Sequence, residues 1–303
     1  MRPKLSRVRA CVIFNPAAKG QKAERFRRSL ALIAKEAALK QTTGPREARR
    51  LAAQAIAEGY DTIIAAGGDG TLNEVLNGFG DAPEGFARAR LGVLPLGTVN
   101  VFAREIGIPL QPEAAWSVLR QGHERRIDLA WVDSGAATKP ERTYFAQLAG
   151  AGLDSRAIEL VAWPLKKKLG PLAYVVAGLQ AMREEHRQIV VSAGSHTLTG
   201  QLVLVGNGSL YGGTFRIFPG ARLDDGQLDV CVFPKVNWPT LFRCGFSLLL
   251  RGQLPEAAVC RLRAPAFTCH GDRATRFEVD GELAGALPAQ FGILPAALRV
   301  LTP

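Results

Sequence analysis

The chain has 303 residues, a net charge of +11 and 47% hydrophobic residues. Its length predicts two domains, its hydrophobic content excludes a disordered chain, and no uncharged apolar run is long enough to predict a membrane-spanning helix. The five cysteines have no CxxC spacing, which argues against a zinc site and indicates a reduced, cytoplasmic compartment.

Strand-like and helix-like segments alternate in the first part of the chain. Strands are predicted at residues 8–14, 61–66 and 90–94, and helices at 22–38, 48–58, 72–77, 101–106 and 112–120. This alternation predicts a doubly wound α/β domain with a parallel sheet. After residue 128, short strands are predicted at 144–149, 188–192, 201–206, 228–233, 260–264 and 276–279, with helical stretches at 157–182 and 239–250. This second pattern predicts an antiparallel β-sandwich-like domain.

The most informative motif is GGDGTLNE at residues 67–74, between an apolar strand and a helix. Glycines let backbone N–H groups approach an anion, and the helix start adds N–H donors and the positive end of its dipole. Asp69 adds a carboxylate, which suits a divalent cation or a proton acceptor beside phosphates. An ordinary tight turn capped by Thr71 has the same composition, so the motif alone does not decide.

Three further segments place polar groups after predicted strands. They are Asn15-Pro16, PLGTVN at residues 95–100, and Asp-Gly-Glu at residues 280–282. Ligands of open α/β sheets bind at the carboxyl ends of the strands, so we expect the first two segments to meet the glycine motif there. The Asp-Gly-Glu segment taken alone favours a hairpin tip over a functional site.

Taken together, these four segments resemble the bacterial diacylglycerol kinase family. That family is related to the sphingosine kinases and shares its nucleotide fold with NAD kinases and 6-phosphofructokinases. Residues 207–226 resemble the family's second-domain signature, and the resemblance covers nearly the whole chain. It implies a nucleotide-binding domain at 1–128, to which a strand near 290–303 returns. A β-rich lipid-substrate domain follows at 129–289, with the active site in the cleft between the domains.

The sequence departs from the family pattern at two turns. The family's second turn often reads GTAND, whereas Val101 stands here in place of the aspartate. The first turn lacks the serine of the family's NPxSG form after Asn15-Pro16. Each departure removes a polar group expected near the nucleotide.

The resemblance implies transfer of the γ-phosphate of ATP, with Mg²⁺, to a lipid hydroxyl such as that of diacylglycerol. Glu282 would accept the hydroxyl proton with Asp280 beside it, and Asp69 would organise Mg²⁺ or its waters. Thr43 is preferred over Thr42 as a nucleotide contact, although the sequence does not separate them. The implied nucleotide-binding residues are Asn15, Thr43, Gly67, Gly68, Asp69, Gly70, Thr71, Leu72, Asn73, Gly97 and Thr98.

The resemblance also implies a structural Mg²⁺ in the second domain. The carboxylate of Asp225 and the carbonyls of Arg222 and Gln227 would bind it. Asp-Asp-Gly is also a common turn sequence, so these residues alone are equally typical of a turn without an ion.

The positive charge predicts an anionic partner. No nucleic-acid-binding motif is present, so we expect an anionic membrane surface and a cytoplasmic enzyme peripherally associated with it. Residues 163–169, with three lysines, and the apolar stretch 238–250 could lie at the interface, although packing against a sheet is the commoner role of such helical positions. The lipid acceptor is not fixed by the sequence, and the oligomeric state stays open, with a homodimer as one option.

Two other functions are compatible with the motifs. NAD kinases share GGDGT, but the turn at 95–100 and the Asp-Gly-Glu segment favour the lipid branch. A non-catalytic regulator that binds lipid or nucleotide could keep the same fold, although the carboxylates at 69, 280 and 282 argue against it. A nucleic-acid binder rests on charge alone and ranks last.

Overall fold

The computed structural model describes residues 9–16, 21–134, 142–160, 178, 180–184 and 186–303. The predicted interfacial segment 163–169 and most of the predicted helix 157–182 lie outside these residues. The chain divides into two compact units, residues 1–128 with 296–303 and residues 129–295. No helix among the described residues is long and apolar enough to cross a bilayer.

The first unit is built on a parallel sheet whose strands alternate with helices. Its strands are β1 (Ala10–Phe14), β2 (Ala38–Gln41), β3 (Thr62–Gly67) and β4 (Arg90–Pro95). Its helices are α1 (Gln21–Ile33), α2 (Glu47–Ala57), α3 (Asp69–Asp81), α4 (Gly85–Arg88), α5 (Val101–Glu105) and α6 (Pro112–Gln121). The parallel order is β2-β1-β3-β4. The predicted doubly wound α/β fold is confirmed.

Both faces of this sheet are covered because its strands are apolar on both sides. Alternate strand residues, including Val12, Ile64 and Leu94, pack with side chains of α1 and α6. The intervening residues, including Ile13 and Ile63, are equally buried and point to the opposite face, where α2 and α3 contact the strands.

One prediction in this unit is wrong. The helix predicted at 22–38 ends at Ile33, and Ala38–Gln41 forms β2 instead. Local residues around Lys35 favour helix, but β2 pairs in parallel with Cys11–Phe14 of β1, and this pairing overrides a weak local preference.

The second unit contains antiparallel sheets packed face to face. It begins within β5 (Glu124–Ser134) and ends within β18 (Ala289–Leu301), and both strands continue into the first unit. The strands between them are β6 (Arg142–Phe145), β7 (Leu148–Gly152), β8 (Ile189–Ala193), β9 (His196–Gly200), β10 (Leu202–Gly206), β11 (Leu210–Tyr211), β12 (Phe215–Arg216), β13 (Leu228–Phe233), β14 (Cys260–Ala264), β15 (Ala266–His270), β16 (Arg276–Val279) and β17 (Glu282–Ala286). Its helices include α7 (Leu153–Leu160), α8 (Trp238–Arg251) and a short 3-10 turn (Glu256–Ala258).

The core of this unit lies between its two sheets. One layer contains β14-β13-β10-β7-β16-β17, and the other contains β18, β15, β8 and β9 with β5 and β6. Phe277 of the first layer packs edge-on against Phe291 of the second, with ring centroids 5.8 Å apart. The predicted antiparallel sandwich is therefore confirmed. The single strand predicted at 144–149 is two strands, β6 and β7, separated by Ala146-Gln147.

Candidate active site

In the first unit, four strands end in register at one edge of the sheet. Phe14 of β1 pairs with Gln41 of β2 and with Ala66 of β3, and Ala66 pairs with Leu94 of β4. The residues that follow these strands are therefore neighbours. They include Thr42, Thr43, Asn15, Gly67, Gly68 and Gly97, so the sheet brings together most of the predicted nucleotide-binding residues of this unit.

The two glycine turns touch each other through their backbones. A Cβ on Gly97 would lie 2.5 Å from the Cα of Gly68, and a Cβ on Gly68 would lie 3.3 Å from the Cα of Gly97. The carbonyl of Gly67 accepts hydrogen bonds from the N–H groups of Leu96 at 2.8 Å and Gly97 at 3.2 Å. A side chain at position 97 would force the two turns apart, and one at position 68 would make a tight contact, so glycine suits both positions and is needed at 97.

Asn100 braces the second turn. Its side-chain oxygen accepts the Gly97 N–H at 3.0 Å, and its side-chain nitrogen donates to the Gly97 carbonyl at 2.6 Å. Asn100 is buried and has a left-handed φ of 53°, which asparagine tolerates better than most residues. Thr98 is exposed at the tip of the same turn. Asn100 therefore fixes the loop, and Thr98 is the side chain available to a ligand.

The first turn leads directly into α3, which begins at Asp69. The first intrahelical hydrogen bond runs from the Leu72 N–H to the Gly68 carbonyl at 3.1 Å. The N–H groups of Asp69, Gly70 and Thr71 have no carbonyl within the helix to bind, as at every helix start. They form a set of donors suited to phosphate oxygens, with Asp69 half-buried beside them.

The structure separates the two threonines that the sequence left open. Thr42 is buried, and both its N–H and its hydroxyl contact the Phe14 carbonyl. Thr43 is exposed, and its N–H and hydroxyl both donate to Glu47 at 2.5 Å. These hydrogen bonds, together with one from Arg50, lower the pKa of Glu47 to about 2. Thr43 is therefore the threonine that a nucleotide could reach.

Glu74, the last residue of the glycine motif, has a structural role. Its carboxylate accepts the N–H groups of Arg46 at 2.9 Å and Ala48 at 3.0 Å, at the start of α2. A carboxylate at a helix start is favourable because it meets unpaired N–H groups and the positive end of the dipole. Glu74 thus ties α3 to α2.

In the second unit, Asp280 and Gly281 form the two-residue turn of the β16–β17 hairpin. Both have left-handed φ values, 48° and 87°, as a type I′ turn requires. The Asp280 carboxylate accepts three backbone N–H groups, from Ala146 at 2.9 Å, Gln147 at 3.0 Å and Leu148 at 3.1 Å. Asp280 therefore holds the hairpin to the β6–β7 loop, while Glu282 is exposed at the start of β17.

Beneath this hairpin lies a buried carboxyl pair that sequence reasoning missed. Glu278 is fully buried, and one of its oxygens accepts the Gly281 N–H at 2.7 Å. Glu278 Oε1 and Asp154 Oδ2 are both buried beside Gly150 with no hydrogen-bond donor among the described residues, and the Tyr211 hydroxyl donates to the other Asp154 oxygen. A Cβ on Gly150 would lie 2.0 Å from Asp154 Oδ2, so glycine makes room for the pair.

Burial determines the protonation of this pair. Desolvation, followed by the negative charge of Asp154, raises the pKa of Glu278 well above its usual range. Desolvation also raises the pKa of Asp154, although the Tyr211 hydroxyl and the neighbouring Glu278 oppose this. Burial therefore favours the protonated form of both carboxyl groups.

At the predicted structural Mg²⁺ site, the carboxylate of Asp225 has two partners within the chain. One oxygen of Asp225 accepts the Gln227 N–H at 3.0 Å, and the other pairs with Arg263 Nη2 at 2.6 Å. Arg222 pairs with Asp224 at 3.2 Å. The guanidinium of Arg263 therefore neutralises part of the Asp225 charge in the absence of an ion.

Comparisons with known proteins agree with this fold and these motifs. The family model of the diacylglycerol kinase catalytic domain matches residues 9–132. The model of the YegS C-terminal NAD kinase beta sandwich-like domain matches residues 147–302.

Curated relatives match along most of the chain. A Pseudomonas aeruginosa protein named probable lipid kinase YegS-like is 36% identical over 272 residues, which cover 89% of this chain and 85% of that protein. A protein of Staphylococcus saprophyticus named diacylglycerol kinase is 32% identical over 308 residues, covering 98% and 96% of the two chains.

Solved structures support the fold. A diacylglycerol kinase from Bacillus anthracis has a TM-score of 0.75 at 23% identity, with 97% of each chain covered. Yeast NADH kinase complexed with NADH has a TM-score of 0.55 at 9% identity, covering 98% of this chain and 84% of that one. At these identities the likeness concerns the fold alone.

The fold is that of the diacylglycerol kinase and NADH kinase structures, with a C-terminal domain of the NAD kinase beta sandwich-like type. The matched models and relatives go further: the chain belongs to the diacylglycerol kinase and YegS family of lipid kinases. The family resemblance predicted from the sequence is confirmed.

Proposed function

We propose that this protein transfers the γ-phosphate of ATP to a hydroxyl group of a lipid of the diacylglycerol type. The contact between the Gly68 and Gly97 turns carries the proposal, because it brings two glycine backbones together as a cradle at the start of α3, where a Cβ on Gly97 would force them apart. Relatives named diacylglycerol kinase favour that acceptor class.

The nucleotide would bind at the sheet edge of the first unit. Backbone N–H groups of residues 68–71 would hold its phosphates, and Thr43, Thr98 and Asn15 would contact it. Mg²⁺ would bind together with the nucleotide and neutralise the charge of its phosphates. Asp69 would orient the water ligands of the ion. The remaining predicted contacts, Leu72 and Asn73, are buried in the first turns of α3 and would support the cradle.

Glu282 is the proposed base. It would accept the proton of the lipid hydroxyl as that oxygen forms its bond to the γ-phosphorus and the bond to ADP breaks. The Asp280 carboxylate already accepts three backbone N–H groups, so its oxygens are less available to a substrate hydroxyl. Glu282 is exposed, so a substrate can reach it. Asp280 would position it.

The test is a transfer assay with Mg²⁺, γ-labelled ATP and a lipid panel in detergent, with NAD as a further acceptor. We expect label in a diacylglycerol-type lipid, and at least about a 100-fold loss in Glu282→Gln. Folding and ATP binding should be retained in that variant. Glu256→Gln, another exposed glutamate of the second unit, should keep wild-type turnover.

Retained turnover in Glu282→Gln would remove this residue from the base role. Label in NAD instead of lipid would favour the NAD kinase alternative. No label in any acceptor, with ATP binding intact, would favour the non-catalytic regulator.

A further inference from the structure

Helix α8 has two different apolar faces. On one face, Leu241, Cys244 and Leu248 pack against the core of the second unit. On another face, five large apolar side chains point away from that core. This α8 stripe consists of Trp238, Phe242, Phe246, Leu249 and Leu250, whose exposed fractions are 40%, 72%, 67%, 78% and 68%. Packing against the sheet, the commoner role of apolar helical positions, therefore explains only the first face.

The stripe is continuous. At about 100° per residue, its five positions fall within an arc of roughly 120° along the helix. The rings of Trp238 and Phe242 are 6.2 Å apart. Of the seven large hydrophobic side chains that are exposed among the described residues, five lie here. Single exposed apolar residues are ordinary, whereas a contiguous apolar patch marks an interaction surface.

The charges around the stripe have one sign. Residues 235–251 contain three basic residues, Lys235, Arg243 and Arg251, and no acidic residue. All three basic side chains are exposed. An apolar helix face with cations beside it and a tryptophan at one end is suited to the boundary between acyl chains and acidic headgroups.

The size of the stripe favours a bilayer over a second copy of the chain. A helix of 14 residues is about 21 Å long and about 10 Å wide, so the stripe covers roughly 200 Å². A specific protein interface buries about 800 Å² on each partner. A shallow insertion between lipid headgroups needs no such area.

We propose that the α8 stripe is a docking surface for an anionic lipid bilayer. The five apolar side chains insert among the upper acyl chains, and Lys235, Arg243 and Arg251 pair with acidic headgroups. The proposal deepens the proposed function, because a bilayer is where a lipid kinase meets its substrate. Docking itself requires neither ATP nor turnover, so it can be tested apart from catalysis.

Vesicle sedimentation tests the apolar part. With vesicles of phosphatidylglycerol and phosphatidylcholine, we expect the unmodified chain to sediment and the double variant Phe246→Gln, Leu249→Gln to lose at least about tenfold in apparent affinity. Leu32→Gln is the matched control, because Leu32 is 62% exposed on α1 and lies outside the stripe. It should sediment like the unmodified chain.

Arg243→Gln with Arg251→Gln tests the charged part. Each basic residue near an anionic leaflet contributes about a fivefold change in binding, so we expect roughly a 25-fold loss on anionic vesicles. Pure phosphatidylcholine vesicles should bind the unmodified chain weakly and this variant equally weakly. Circular dichroism should show both double variants folded, because every substituted side chain is exposed.

Three results would overturn the proposal. They are failure of the unmodified chain to sediment with anionic vesicles, undiminished binding of the Phe246→Gln, Leu249→Gln variant, and equal loss in Leu32→Gln. A change of molecular mass in solution, with vesicle binding unaltered, would assign the stripe to a second copy instead. The double variants should keep their kinase activity on lipid in detergent, so loss of docking is distinguishable from failure of the proposed function.

Discussion

The first unit is distinguished by main-chain N–H groups at its glycine turns, whereas the second unit is distinguished by carboxyl groups held in place by distant partners. The glycine turns form their donors by close approach of two backbones, at Gly68 and Gly97. The carboxyl groups at Asp154, Glu278 and Asp280 are held by contacts between distant parts of the chain. The geometry in the first unit thus depends on the absence of side chains at Gly68 and Gly97. The geometry in the second unit depends on the particular partners of its carboxyl groups. Each site should therefore fail in a different way when it is altered.

The largest effect is expected for Gly97→Ala. Its Cβ would lie 2.5 Å from the Cα of Gly68, so the two turns would have to separate. A displacement near 1 Å at a phosphate-transfer site can cost about 100-fold in rate, and we expect at least that loss in turnover, with weaker ATP binding. Gly220→Ala is the control, since a Cβ there meets nothing within 4 Å. Wild-type ATP affinity in Gly97→Ala, measured by calorimetry, would contradict the proposed cradle.

The second prediction separates the two carboxylates of the hairpin. Asp280→Asn leaves one oxygen to meet three N–H groups, so we expect a loss of about 2–3 kcal/mol in unfolding free energy, together with loss of turnover. Glu282→Gln should lose turnover alone, because Glu282 is exposed. Denaturant unfolding of both variants provides the measurement. Equal stability of the two would show that the Asp280 hydrogen bonds contribute little.

Whether the sequence predicts each site depends on how far apart the interacting residues lie along the chain. The glycine turn is local, since strand, glycines and helix start all lie within residues 62–81, and its motif was recognised. Asp280 instead binds residues more than 130 positions away, and no local pattern encodes such a partner. Glu278 lies in a short strand whose last three residues are buried, and an acidic side chain there does not indicate that it lies beside Asp154. Strand β2 was missed for a similar reason, because its parallel pairing with β1 overrides a helix-favouring sequence.

The third prediction concerns pH and the buried pair. The pKa of Glu278 is raised in the folded chain, mainly by burial, so the folded state binds its proton more tightly than the unfolded state. This contribution to stability is complete below the ordinary carboxyl pKa and is lost as the pH rises towards the raised pKa of the folded state. Within that window each pH unit costs up to about 1.4 kcal/mol.

Thermal unfolding from about pH 5 to pH 9 measures this effect. Glu278→Gln cannot titrate, and its amide can still accept the Gly281 N–H. Its melting temperature should therefore fall less steeply with pH than that of the unmodified chain. Parallel curves for the two proteins would show that the buried pair does not titrate in this range.

The smallest effect is expected for substitution of Arg263. It tests whether an ion or a side chain neutralises the acidic turn of the second unit. Arg263 pairs with Asp225 at 2.6 Å and with Asp229 at 3.1 Å. Burial raises the pKa of Asp229, so this carboxylate depends on its cation. Because the Arg263 side chain is 47% exposed and partly screened, Arg263→Gln should cost only about 1–2 kcal/mol. Arg222→Gln, in a pair whose arginine is 72% exposed, should change stability by less than about 0.5 kcal/mol.

If the guanidinium takes the place of a structural cation, EDTA should leave the melting temperature of the unmodified chain unchanged. A loss with EDTA that Mg²⁺ restores, and that is absent in Asp225→Asn, would instead return the ion to this turn and displace Arg263 from its role. The first outcome would extend the difference between the two units. The first unit would then need Mg²⁺ only with the bound phosphates. In the second unit, Arg263 would neutralise Asp225 and Asp229 without an ion.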